Sequence, residues 1–201
     1  MSSPITSPAE FERTRVENAA AALSRTDTDG STENGPETVL RTPRISDGAH
    51  LWRIAKDSAV LDVNPSYAYL LWCRDFANTS VVAEVDGEVV GYVIGFVRPQ
   101  APDTVFVWQV AVDSAQRGKG TGAQLLHTLL NSVAAQGVSV LETTISPDNA
   151  GSIALFTAVA RSRGARITKS ALFDAGVFPD SHESEDLYRI TPTDSTTEEN
   201  R

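Results

Sequence analysis

Apolar positions along the chain fall into short runs whose period switches between that of a strand and that of a helix. Thr38–Pro43 reads as a first strand. Asp47 stands where it caps a helix carrying Leu51, Trp52 and Ile54 to Lys56. Ser66 stands likewise before a helix over Tyr67–Phe76. Val81–Asp86 and Val89–Val97 flank Asp86-Gly87, a dipeptide that favours the tight hairpin turn. In the next strand, Thr104–Asp113, Trp108, Val110 and Val112 alternate with Gln109, Ala111 and Asp113, which suits a mostly buried strand. Ala123–Leu130 has helical spacing, and Val138–Ile145 is a strand. Asp148 or Asn149 caps a helix through Ile153, Leu155, Phe156 and Val159 that stops near Gly164. Ala165–Leu172 and Glu185–Ile190 are the closing strands. The order β-α-α-β-β-β-α-β-α-β-β puts antiparallel hairpins first and a β-α-β crossover after them. That predicts an α/β fold with a mixed, mostly antiparallel sheet flanked by helices.

The ends have no such pattern. Residues 1–36 are rich in Ser, Thr, Asp, Glu and Ala, and read as a disordered acidic leader in which Glu12–Leu23 forms at most a transient helix. Residues 191–201 read as a disordered polar tail, which leaves 37–190 as the folded domain. Of the net charge of −9, the first 37 residues carry −4 and the last 11 carry −2, leaving −3 between them. An acidic chain argues against nucleic acid as a partner. Cys73 is the single cysteine, which excludes an internal disulfide and a cysteine-rich metal site. Without a long apolar run or a signal segment, the expectation is a cytoplasmic protein with no membrane partner.

One segment breaks the acidic character. Strand residues Trp108–Val112 lead into Arg117-Gly118-Lys119-Gly120-Thr121-Gly122, and a helix follows. A helix start presents N–H groups without intrahelical partners and the positive end of the helix dipole, so it attracts phosphate. A Walker loop needs Ser or Thr after its Lys, whereas Lys119 precedes Gly120. A dinucleotide fingerprint needs a first βαβ unit, and here antiparallel strands come first. The pattern that matches is Arg/Gln-x-x-Gly-x-Gly, met by Arg117, Gly120 and Gly122. With the strand order around it, the chain resembles the GCN5-related N-acetyltransferase superfamily. The resemblance implies acetyl-CoA as co-substrate, its pyrophosphate on Arg117, Gly118, Lys119, Gly120, Thr121 and Gly122. It further implies main-chain contacts from Val110 and Val112 to the pantetheine arm, the Val110 N–H as a polariser of the thioester carbonyl, and Asn149 beside the pantetheine. The superfamily often carries a Tyr acid where this chain has Phe156, so the thiolate needs another proton donor.

Acetylating an aliphatic amine, which titrates near ~10, needs carboxylates to hold the cation and take its proton. Asp62–Leu71 and Phe173–Ile190 offer carboxylates, phenols and aromatic walls, and Trp108 stands between them on the motif strand. These segments, with Leu141–Asn149, resemble the diaminobutyrate acetyltransferases of ectoine biosynthesis, above all over His182–Tyr188. The resemblance implies transfer of acetyl from acetyl-CoA to the 4-amino group of L-2,4-diaminobutyrate and a homodimer. It places Asp62, Trp108 and Glu185 around the diamine, with Tyr67 as proton donor, and needs no metal. Each has a plainer reading: a turn cap for Asp62, a half-buried aromatic for Tyr67, core for Trp108, and a solvated edge for Glu183 and Glu185. His182 reads as a loop hydrogen-bonder, and Arg41, Arg74 and Arg98 are alternatives for the substrate carboxylate. Cys73, mid-helix, is not expected to carry acyl groups. The competing functions are acetylation of another small amine or a peptide N-terminus, and a non-catalytic acyl-CoA-binding module.

Overall fold

The computed structural model describes residues 37–180 and 182–193. The expected leader, including Glu12–Leu23, and the tail beyond Thr193 lie outside the described residues. Eleven elements follow in the expected order: β1 (Thr38–Arg41), α1 (Gly48–Ser58), α2 (Ser66–Asp75), β2 (Ser80–Val85), β3 (Glu88–Arg98), β4 (Ala101–Val112), α3 (Thr121–Ala134), β5 (Val140–Ile145), α4 (Ala150–Ser162), β6 (Ala165–Phe173) and β7 (Glu185–Pro192). They form one seven-stranded sheet, ordered β1-β2-β3-β4-β5-β7-β6. Among the described residues, only β4 and β5 pair in parallel.

Helices cover both faces, and the strand alternation serves both. Val81, Ala83 and Val93 pack with Leu125, Leu126 and Leu129 of α3 and Phe156 and Val159 of α4. Val82, Tyr92 and Ile94 turn the other way, onto Leu51 and Ile54 of α1 and Tyr69 and Cys73 of α2. Each fully buried aliphatic side chain contributes about 2 kcal/mol. The β2–β3 hairpin turns on Asp86 (φ +52°) and Gly87 (φ +82°), both left-handed as a primed turn requires.

Three local expectations are corrected. Asp47 stands at the N-cap position of α1, but its side chain makes no capping bond to the helix. Its carboxylate is taken by the Arg41 guanidinium at 2.7 and 3.2 Å and by the Arg44 N–H at 2.7 Å, closing a 3-10 turn over Ile45–Asp47. Burial alone would raise the Asp47 carboxyl, but the Arg41 and Arg44 bonds outweigh it and hold it low. Ser66 is the first helical residue of α2, and Pro65 takes the cap position. Finally, β7 continues to Pro192, with Thr191 opposite Arg166 and Pro192 opposite Ala165. Two residues assigned to the tail for their polarity therefore belong to the sheet.

The strand β4 has a feature that alternation does not announce. Gly95 pairs with Val107 and Ile94 with Gln109, so Trp108 is an extra residue, a β-bulge. The bulge reverses the inside and outside of everything after it. Val105 and Val107 face α3 and α4, whereas Gln109 and Ala111 turn into the opposite core. Trp108 is left half exposed.

Candidate functional site

The bulge sits where the sheet opens. β4 and β5 pair only over Thr104–Phe106 and Val140–Glu142, and beyond those three pairs the two parallel strands diverge. The Asp113 N–H donates to the Val90 carbonyl at 2.8 Å. Because hydrogen-bonded pairs alternate along an antiparallel ladder, the main-chain groups of Ala111 and Gln109 then face β3. Those of Val110 and Val112 face away from β3, toward the opening.

Two cavities occupy this opening. The larger, about 540 Å³, is lined by Val110 and Val112, by Arg117, Gly118, Gly120, Thr121 and Gly122 at the start of α3, and by Asn149 at the start of α4. Lys119 lies on the same turn, exposed, but is not part of the lining. Gly118 and Gly120 have φ of +78° and +82°, and a Cβ at either would meet nothing within 4 Å. Left-handed backbone, open space beside it and a helix start make a concave cradle for an anion. The Asn149 side-chain Oδ1 accepts the Ser152 N–H at 3.0 Å as the α4 cap, so Asn149 and not Asp148 starts this helix.

The smaller cavity, about 280 Å³, shares Val60, Leu61, Val110, Asn149 and Ser152 with the larger one and lies on the β5–β7 side. Its charged lining residues are Asp62, His182 and Glu185, and Trp108 and Phe178 supply aromatic wall. Glu185 accepts the Ser146 hydroxyl at 2.9 Å. His182 stacks on Phe178 at 4.2 Å, with Nδ1 2.7 Å from the Glu183 carbonyl and Nε2 2.9 Å from the Asp62 carboxylate. Both partners are acceptors, so both ring nitrogens donate only in the imidazolium. The Glu183 carbonyl, with the Asp62 and Glu185 carboxylates, accordingly holds the His182 pKa above the ordinary histidine value.

The structure thus brings Asp62, Trp108, Val110, Asn149 and Glu185 to one cavity, although Asp62 and Glu185 are 123 positions apart in the chain. Glu183 is absent from the lining and contributes only its carbonyl. Tyr67 is not brought in: on α2 it is 66% exposed and lines neither cavity. No tyrosine lines either cavity among the described residues, and Phe156 stands buried in the wall of the smaller one. The three arginines weighed for a substrate carboxylate are spent elsewhere. Arg41 pairs with Asp47 and Glu84, Arg74 with Asp75, and Arg98 with Glu142, and none of the three lines a cavity. Cys73 is buried, with burial pushing its thiol up to about 11, and also lies outside both cavities. His182 is a loop hydrogen-bonder, as expected, and the structure adds that it lines the cavity and bonds Asp62. The His182–Tyr188 stretch was the local signal, but the partner could not be read there, because Asp62 joins it from another part of the chain. Among the described residues there is no cluster of three or more metal-ligating side chains, and no helix is long and apolar enough to cross a membrane.

Residues 48–160 match the acetyltransferase (GNAT) family model. An L-2,4-diaminobutyric acid acetyltransferase of Nocardia farcinica (strain IFM 10152) is 68% identical over 154 residues, 77% of this chain and 80% of that protein. The chain belongs to this family. A second relative of the same name, from Streptomyces coelicolor, is 59% identical over 153 residues, 75% of this chain and 90% of that protein. Among solved structures, the diaminobutyrate acetyltransferase of Paenibacillus lautus, in complex with its substrate L-2,4-diaminobutyric acid and coenzyme A, superposes with a TM-score of 0.75 at 39% identity, covering 79% of this chain and 96% of that one. The expected fold and family are therefore correct, and acetyl-CoA is the co-substrate.

Proposed function

We propose that this diaminobutyrate acetyltransferase moves the acetyl group directly from acetyl-CoA to the 4-amino group of L-2,4-diaminobutyrate within one ternary complex, the acetylation step of ectoine biosynthesis. The observation that carries the reading is the pair of joined cavities with Val110 in both linings. The larger takes CoA: its pyrophosphate on the Arg117–Gly122 turn, with Lys119 adding charge from outside the lining, and its pantetheine arm along Val110, Val112 and Asn149. The smaller takes the diamino acid. Its lining brings two carboxylates and one imidazolium, a formal charge of −1. Diaminobutyrate with both amines protonated carries +1, so substrate and site neutralise each other, whereas a simple diamine would overcharge the site.

Glu185 and Asp62 hold the diamine against Trp108, and Glu185 takes the proton of the reacting amine, directly or through water. The neutral nitrogen attacks the thioester carbonyl carbon. The Val110 N–H, aimed into the opening, stabilises the tetrahedral oxyanion. The C–S bond then breaks and the thiolate leaves. A thiol titrates near ~8.5, so the thiolate is a tolerable leaving group and takes its proton from solvent in the larger cavity. This replaces Tyr67, whose position on α2 does not support the donor role. No cysteine or lysine lines either cavity among the described residues, which supports attack without an acyl-enzyme. We further propose a homodimer acting in the cytoplasm, with 1–36 and the last residues outside the catalytic domain.

The test is a panel of amines supplied with acetyl-CoA while CoA release is followed. Diaminobutyrate is expected to be preferred at least tenfold over ornithine, lysine and putrescine. Equal turnover of putrescine would overturn the charge-matching argument. CoA binding without turnover of any amine would overturn the catalytic reading.

A further inference from the structure

A buried amide lies directly behind the substrate cavity. Gln109 is 6% exposed, turned into the α1–α2 core by the Trp108 bulge, yet it also borders the smaller cavity. Its carbonyl oxygen accepts two hydroxyls, from Tyr69 at 3.2 Å and Tyr92 at 3.1 Å. Its amide nitrogen donates to the main-chain carbonyl of Asp62 at 2.9 Å. Both ends of the side chain are thereby committed. The Asp62 carbonyl, which can only accept, fixes which end faces it, because a flipped amide would set two carbonyl oxygens against each other.

Asp62 needs such a hold. Its side chain is 82% exposed, and the segment carrying it leaves α1 through Ala59, in left-handed conformation, past an exposed Val60. Packing does not fix the carboxylate. Leu61 packs against the α1–α2 core, and polar ties hold the chain on either side of it: the Ser58 hydroxyl accepts the Val60 and Leu61 N–H groups at 3.3 and 3.2 Å, and Gln109 grips Asp62 itself. The tie runs to β4 one residue after the bulge and one before Val110, so the wall holding the amine is referenced to the strand facing the thioester.

We propose that Gln109 is a positioning residue for acetyl transfer: locked by Tyr69 and Tyr92, its amide sets the Asp62 carboxylate at the cavity mouth, where it clasps His182 and receives the diamine. This rests on the reading of Asp62 as a substrate-holding group.

Gln109→Glu keeps an acceptor for both hydroxyls but removes the N–H that Asp62 receives. The expected result is a KM for diaminobutyrate raised at least tenfold, a KM for acetyl-CoA within twofold of the parent, and a His182 imidazole that titrates at lower pH by NMR. On an Asp62→Asn background the substitution is expected to add less than twofold, because both changes act through one carboxylate. Full multiplication of the two effects, or an equal rise in both KM values, would overturn the proposal. If Gln109→Glu fails to fold, the Tyr69→Phe/Tyr92→Phe double variant frees the amide to turn and is expected to show the same KM split and imidazole shift. Wild-type kinetics in Asp62→Asn would overturn the substrate role of Asp62 instead. The imidazole titration then still judges the tie, upheld by a lowered value in Gln109→Glu and overturned by an unchanged one.

Discussion

Replacing Gly120 by Ala separates backbone strain from ligand contact at the glycine turn. Gly120 precedes α3 with φ +82° and ψ 0°. A Cβ there meets no protein atom within 4 Å, so the change introduces no internal clash. What it introduces is the left-handed penalty of an L side chain, about 1–2 kcal/mol. For a chain of this size that lowers Tm by roughly 2–8 °C. The methyl also enters space at the lining of the larger cavity, where the backbone must approach the pyrophosphate. Losing one charge-assisted bond to a phosphate costs about 1.5–3 kcal/mol, or roughly 10- to 100-fold in affinity. Gly137→Ala is the matched control: φ is +85°, nothing lies within 4 Å, and the residue borders neither of the two joined cavities. Thermal unfolding should show similar losses of stability in both variants. Calorimetric titration with CoA should show weakened binding only in Gly120→Ala. Equal CoA affinity in the two would refute the turn as the phosphate cradle.

Further consequences can be checked independently. Glu185→Gln should lower kcat by roughly 10²–10⁴-fold, the usual worth of a general base, while CoA titrations stay at the parent value; wild-type kcat would remove Glu185 from proton transfer. The raised His182 pKa makes its contact with Asp62 pH-dependent. That stabilisation is full below the ordinary histidine value near ~6.5 and disappears as pH rises through the raised folded value. Unfolding midpoints of Asp62→Asn should therefore lie furthest below wild type in mildly acidic solution and converge with it in alkali, and a pH-independent gap would contradict the imidazolium assignment. Arg41→Met strands the buried Asp47 carboxylate without its guanidinium, at a cost of ~3 kcal/mol measured by urea unfolding. Here a change under 1 kcal/mol would show that the Arg44 N–H suffices to hold the Asp47 carboxylate.

Element order and the co-substrate side were legible in the chain because their signals are local. Strand and helix periods, the Asp86-Gly87 turn and the spacing of Arg117, Gly120 and Gly122 each act within a few residues of backbone. The same locality explains the capping errors at Asp47 and Ser66. A cap signal is a short-range preference, and Arg41, reaching in from β1, outcompeted it for the Asp47 carboxylate.

The sequence by itself determined the α/β order, the basic glycine cradle and, through segment resemblance, the two regions that recognise the amine. Tertiary structure decided which side chains in those regions meet. It joined Asp62 to His182, left Tyr67 on the outside of α2, and turned Gln109 inward. For Gln109 the reason is the single extra residue at Trp108, while Asp62 and His182 meet because two connections far apart in the chain both reach the opening beside β4. One inserted position exchanges the two faces of a strand, and its register is set by pairing with β3, which no periodicity within β4 encodes.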